Sequence, residues 1–246
     1  MGHLAALLAP YSPLRGCASL APCHMAQADL ARHTPLFHQT PTMIALIDYG
    51  SGNIRSVTKA LQHEGANVEL VSDASRLAGA SAMVLPGVGD FGDCARNLKS
   101  RNLWEPVGAW LRSGRPFLGI CVGYQLLFES SEESPGEPGF GFFPGRVKKF
   151  RGDGLKVPQI GWNNLELAQP GHPLWRALPP DPYVFFVHSY YPACEREDVV
   201  IARTTYGETF ASGAALGNVA GVQFHPEKSQ DVGLAVLRNF VHGITP

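Results

Sequence analysis

Three short runs of almost unbroken apolar residues, at positions 43–47, 82–85 and 117–120, are separated by stretches whose apolar residues recur at helical spacing. A strand that is apolar on both sides must be covered on both sides. Strands of this kind with helices between them build a parallel sheet clothed on each face. The helical stretches fit that plan. Residues 53–64 place Ile54, Val57 and Leu61 on one stripe and stop at Gly65. Residues 91–113 read as one or two helices interrupted near Pro106. Between them, 67–71 alternates like a strand. The expected fold is a three-layer α/β sandwich around a central, mostly parallel twisted sheet. Ligands on such sheets bind beyond the carboxyl ends of the strands. Gly50, Gly87 and Cys121 all fall there.

The second half is richer in strands and turns. Strands are expected at 145–150, 156–160, 183–187, 199–204, 214–216 and 219–223, and a closing helix at 229–241, apolar at Val232, Ala235, Val236 and Phe240. These add antiparallel strands to the sandwich. The acidic, Gly- and Pro-rich segment 129–143 reads as a surface loop. With no repeat and no linker, residues 43–246 read as one domain. Residues 1–42 differ: five prolines, four of the nine histidines and no period. They read as a disordered extension, and Met43, directly before the first strand, reads as a candidate true start. Leu4–Ala9 has no Lys or Arg before it, which argues against a signal peptide. Cys17, Cys23 and His24 are too few to specify a metal site.

A net charge of −1 without a long basic run excludes electrostatic nucleic-acid binding. No apolar run approaches the roughly 18 residues a membrane span needs. Five scattered cysteines fit a reducing compartment, so a cytoplasmic location is expected.

The third apolar run ends in Gly119-Ile-Cys121-Val-Gly123 and leads into 124–128, which can form a helix. Flanking glycines permit a sharp turn, and a helix start directs N–H groups at the sulfur, so Cys121 reads as a nucleophile. Cys94 and Cys194 lack that setting and read as inert. His225 follows the apolar run 219–224, Pro226 ends the ladder, and Glu227 is placed to orient the imidazole. His188, between two aromatic clusters, is a rival base. An acyl-transfer site needs donors for an oxyanion. Val122 N–H is one, and Gly87 or Val88 in Pro86-Gly-Val-Gly89 supplies the other. Gly50-Ser-Gly52 lacks the third glycine of a dinucleotide fingerprint, and no phosphate loop occurs.

Gly119-x-Cys121-x-Gly123-x-Gln125 with His225-Pro-Glu227 resembles the class I, triad glutamine amidotransferases, whose sandwich is flavodoxin-like. Asp48-Tyr-Gly-Ser-Gly-Asn53, Leu85-Pro-Gly-Val-Gly89, Val157-Pro-Gln-Ile-Gly-Trp-Asn163, Phe186-Val-His-Ser-Tyr190 and residues 221–229 narrow the resemblance to the glutaminase subunits of imidazole glycerol phosphate synthase, across 43–246. The resemblance implies that Cys121 attacks the γ-carboxamide of L-glutamine, with His225 and Glu227 completing a triad. Gly87, Val88 and Val122 serve the oxyanion, and Gln125, His188, Ser189 and Tyr190 lie near the substrate. It implies no metal or organic cofactor. It also implies a (β/α)8-barrel cyclase partner in a heterodimer of histidine biosynthesis, with Asn53 and Trp162 as docking residues. Another amidotransferase subunit, or a stand-alone γ-glutamyl hydrolase, is the alternative. Asp90 and Gln159 depart from the pattern, where a small residue and a histidine are expected.

Overall fold

The computed structural model describes residues 43–152 and 154–243. The readings of Cys17, Cys23, His24 and the rest of 1–42 lie outside the described residues.

The three apolar runs form β1 (Met43–Ile47), β3 (Ala82–Gly87) and β4 (Phe117–Cys121); β2 (Asn67–Val71) lies between β1 and β3 in the chain. They pair in parallel in the order β4-β3-β1-β2. β1 leads to α1 (Ile54–His63), and β3 leads to α2 (Phe91–Ser100) and α3 (Trp104–Arg112). β1 to β2 and β3 to β4 step across the sheet in opposite directions. With right-handed crossovers, their helices fall on opposite faces. The break expected near Pro106 lies earlier, at 101–103, where Asn102 takes a φ of 56° and ends α2. Pro106 sits in the first turn of α3, where a missing N–H costs no bond.

After β4 come the single turn α4 (Val122–Gln125), β5 (Ser130–Ser131), β6 (Gly145–Lys149), β7 (Gln159–Asn164), β8 (Tyr183–His188) and β9 (Tyr190–Cys194). β10 (Val200–Tyr206), β11 (Glu208–Leu216), β12 (Val219–Val222) and α5 (Gln230–Gly243) complete the chain. β12 joins β4 in parallel, and β11 and β10 extend the sheet antiparallel, giving seven strands ordered β10-β11-β12-β4-β3-β1-β2. β5-β6-β9 and β7-β8 form two smaller sheets. The expected mostly parallel sheet with antiparallel additions is the observed one.

Three boundaries differ from expectation for local reasons. β7 begins at Gln159, because Pro158 has no N–H to donate. β11 starts six residues earlier than expected, at Glu208, through small and polar residues that are buried from Phe210 onward. β9 was not expected at all; it tolerates Pro192 because it is the edge strand of its sheet. The segment 129–143 is more than a surface loop: Phe143 is fully buried. Among the described residues no helix is long and apolar enough to cross a membrane.

Candidate active site

β4 delivers Cys121 at the carboxyl edge of the sheet with φ 56° and ψ −112°, a conformation that side-chain-bearing residues rarely adopt. The turn is this tight because the next strand is close. A Cβ on Gly123 would stand 1.9 Å from the Leu85 carbonyl oxygen, so only glycine fits. The helix expected over 124–128 is instead one turn, Val122–Gln125. The carbonyls of Leu126, Leu127 and Phe128 are captured by N–H groups of Phe140, Phe143 and Gly141 at 2.7, 2.9 and 3.2 Å. The 139–143 segment thereby ends the helix, and the dipole at Cys121 is that of a single turn.

β12 carries the chain to His225, whose main-chain N–H donates to Phe185 O at 3.0 Å. The ring is almost wholly buried, and its Nδ1 lies 2.9 Å from Glu227 Oε1. Burial alone would lower the imidazole pKa. The nearby Cys121 sulfur and the Glu227 carboxylate outweigh it and push the value up to about 10. Nε2 is buried, and Cys121 is the side chain that raises the ring's pKa from that side, through its charge and through hydrogen bonding to the ring. Glu227 has no exposed side-chain surface and takes a second, long contact from Asn53 Nδ2 at 3.4 Å. Asn53, expected on an exposed docking surface, is half-buried and lines the cleft.

His188 faces the same cleft but cannot compete as a base. It is packed among Phe150, Phe186 and Phe210, and burial lowers its pKa to about 4. Its Nδ1 lies 2.8 Å from Tyr190 O, which can only accept, so Nδ1 carries the proton. Cys94 is buried, and burial pushes its thiol pKa up; Cys194 is raised for the same reason.

The expected oxyanion donors meet at the end of the β3–β4 ladder. Met83 N–H donates to Pro116 O at 3.0 Å, and the two-residue repeat gives Gly87 the same orientation, opposite Cys121. The Gly87 carbonyl is thereby aimed at Val122 N–H. The peptides on either side are held from the loop after β1. Tyr49 Oη donates to Pro86 O at 2.8 Å, and Ser51 Oγ donates to Val88 O at 2.7 Å. A Cβ on Gly87 would come within 2.9 Å of Tyr49 Oη and of Val122 Cβ.

Cys121, Val122, Gln125, Val88, His188, Ser189, Tyr190 and His225 all line one cleft of about 500 Å³. Gln125 Nε2 donates to Tyr190 O at 2.9 Å and to Gln223 Oε1 at 3.1 Å. The cleft also holds Glu133 and Lys228, which sequence reasoning missed. Glu133 lies in the acidic segment taken for solvated loop. Its carboxylate accepts from Phe91 N–H at 2.9 Å, and burial raises its pKa against that bond. Gln223 was missed too, although a polar residue closing an apolar strand two positions before His225 is a legible signal. Trp162 lies outside the cleft, 46% exposed and edge-on to Phe185. Asp90 caps α2 by accepting from Asp93 N–H at 2.9 Å, a bond that glycine or alanine could not make. Gln159 is buried with its Oε1 unpartnered among the described residues.

The glutamine amidotransferase class-I family model matches residues 45–244. The chain is 50% identical over 200 residues to the imidazole glycerol phosphate synthase subunit HisH of Synechocystis sp., covering 80% of this chain and 95% of that one. It is 45% identical over 205 residues to the HisH subunit of Microcystis aeruginosa, covering 82% and 96%. The solved structure of PurLQS from Thermotoga maritima shares the fold, with a TM-score of 0.66 at 20% identity over 83% of this chain and 100% of that one. With a cysteine on the turn after β4, a buried His–Glu pair beside it and this likeness along its described length, the chain belongs to the class-I glutamine amidotransferases, among the HisH subunits of imidazole glycerol phosphate synthase.

Proposed function

We propose that this chain hydrolyses L-glutamine through a Cys121–His225–Glu227 triad and passes the ammonia to a (β/α)8-barrel cyclase subunit. The observation that carries the reading is the strained Cys121 beside an imidazole that Glu227 and the sulfur together keep protonated. Cys121 sulfur bonds to the γ-carboxamide carbon, and the C=O electron pair moves onto oxygen. The tetrahedral intermediate collapses, the C–N bond breaks, and His225 Nε2 gives its proton to the departing ammonia. Water then loses a proton to His225 and attacks the glutamyl thioester, releasing glutamate and the thiol. Glu227 holds the ring throughout.

The oxyanion needs Val122 N–H and a donor from Gly87 or Val88. The Gly87 carbonyl faces Val122, so the Gly87–Val88 peptide must turn to free that donor and present Val88 N–H. Its neighbours are held by Tyr49 and Ser51, which confines the motion to one peptide. Glu133, the carboxylate of the cleft, suits the ammonium of glutamine, and the Gln125, Ser189 and Tyr190 region the rest of the amino acid.

Ammonia released into water would be protonated and lost, so the product must leave toward a second site. Val187 lines the cleft, and its register partner Ile160 is 61% exposed. Trp162 and Tyr183 continue the same sheet face at 46% and 54% exposure. This apolar face beside the cleft supports docking of the cyclase there, with Trp162 as the anchor. The cyclase would use the ammonia to make imidazole glycerol phosphate and aminoimidazole carboxamide ribonucleotide in histidine biosynthesis. The relatives' names support this product over that of a stand-alone hydrolase. A barrel cyclase captured by this chain, with glutamine turnover rising when the ribonucleotide substrate is added, is the expected result. Full glutaminase activity with no cyclase bound would instead establish a stand-alone hydrolase.

A further inference from the structure

Gln223 is a fully buried polar side chain at the end of an apolar strand, and the triad mechanism gives it no task. Its surroundings fix which way its carboxamide points. Tyr190 O is a main-chain carbonyl and can only accept. It takes His188 Nδ1 at 2.8 Å and Gln125 Nε2 at 2.9 Å. Gln125 must therefore present its NH2 end there, and the same nitrogen reaches Gln223 at 3.1 Å. Facing an NH2 group, Gln223 must present its oxygen. That turns its own Nε2 toward Cys121 Sγ, 3.7 Å away. The strand is held in register by Gln223 N–H to Ser212 O at 2.9 Å, so the side chain has little freedom to turn elsewhere.

We propose that Gln223 is the donor that holds the Cys121 sulfur in its attacking position, and that a one-way chain of amides ties this sulfur to the Tyr190 carbonyl at the rim of the cleft. An N–H aimed at sulfur is satisfied only if sulfur accepts, so Gln223 favours the anionic, attacking form. The sense of every link is set by the carbonyl at its far end. Displacement of Tyr190, by bound glutamine or by a docked partner, would be felt at the nucleophile through Gln125 and Gln223. The proposal rests on Cys121 being the nucleophile.

Gln223→Met keeps the volume and removes the donor. In the full chain it should lower kcat for glutamine hydrolysis at least about tenfold, the worth of one hydrogen bond to a charged group, with KM within about twofold of the parent. Alkylation of Cys121 by iodoacetamide, read by site-resolved mass spectrometry, should slow by a similar factor. Gln223→Glu, which turns a carboxylate on the sulfur, should slow it further. Gln125→Met combined with Gln223→Met should cost less than the product of the two single effects. Alkylation unchanged in Gln223→Met, or equal slowing in Met and Glu variants together with a lowered melting temperature, would overturn the proposal. Alkylation needs no turnover, so a chain that hydrolyses no glutamine would fail the functional reading and still decide this one.

Discussion

At the scale of single residues, the proposed triad rests on a pair two positions apart and on a turn that only glycine permits. Glu227→Gln removes one of the charges that holds His225 protonated, and kcat should fall on the order of 100-fold. The same group gives a pH signature. Folding raises the His225 pKa from about 6.5 to about 10, so the imidazolium is favoured in the folded state. That stabilisation is complete below the unfolded value and is lost as pH rises through the folded one. In Glu227→Gln the alkaline loss of stability should move to lower pH, as urea midpoints measured across the neutral-to-alkaline range would show. Gly123→Ala drives a methyl into the Leu85 carbonyl and should cost about 3 kcal/mol or more, read as a lowered melting temperature or insoluble chain. Cys121, His225 and Glu227 were legible because each sits at a punctuation mark in the sequence: a glycine pair or a proline. Gln223 and Glu133 were not, because their importance comes from what long-range folding brings beside them.

At the scale of elements, apolar continuity made β1, β3, β4 and β12 readable, and all four are buried. β9 and the first part of β11 were opaque, because proline, serine and glycine there are tolerated by an edge position and by close packing. α4 shows tertiary structure overriding local preference: Tyr124-Gln-Leu-Leu-Phe128 favours a helix, yet the 139–143 segment takes its carbonyls. The β7–β8 sheet carries its own prediction. If the cyclase docks on this face as proposed, Trp162→Ala should weaken its binding by about 2 kcal/mol, measured by titration calorimetry. Glutamine hydrolysis by the isolated chain should stay unchanged, because Trp162 is outside the cleft.

At the scale of the whole molecule, the seven-stranded sheet is the device that assembles the site. β3, β4 and β12 are adjacent and parallel, so the proposed oxyanion segment, nucleophile and base leave the sheet at one edge. The β7–β8 and β5-β6-β9 sheets then wall the cleft with Val187, His188 and Tyr190, and the exposed apolar face of β7–β8 adjoins it. A site placed this way suits the proposed release of ammonia into a docked cyclase. The most direct test is the complex formed with the cyclase by Cys121→Ala. Glutamine-dependent synthesis should be lost while synthesis from added ammonium salt continues at the parent rate. Synthesis from glutamine persisting in that variant would contradict it.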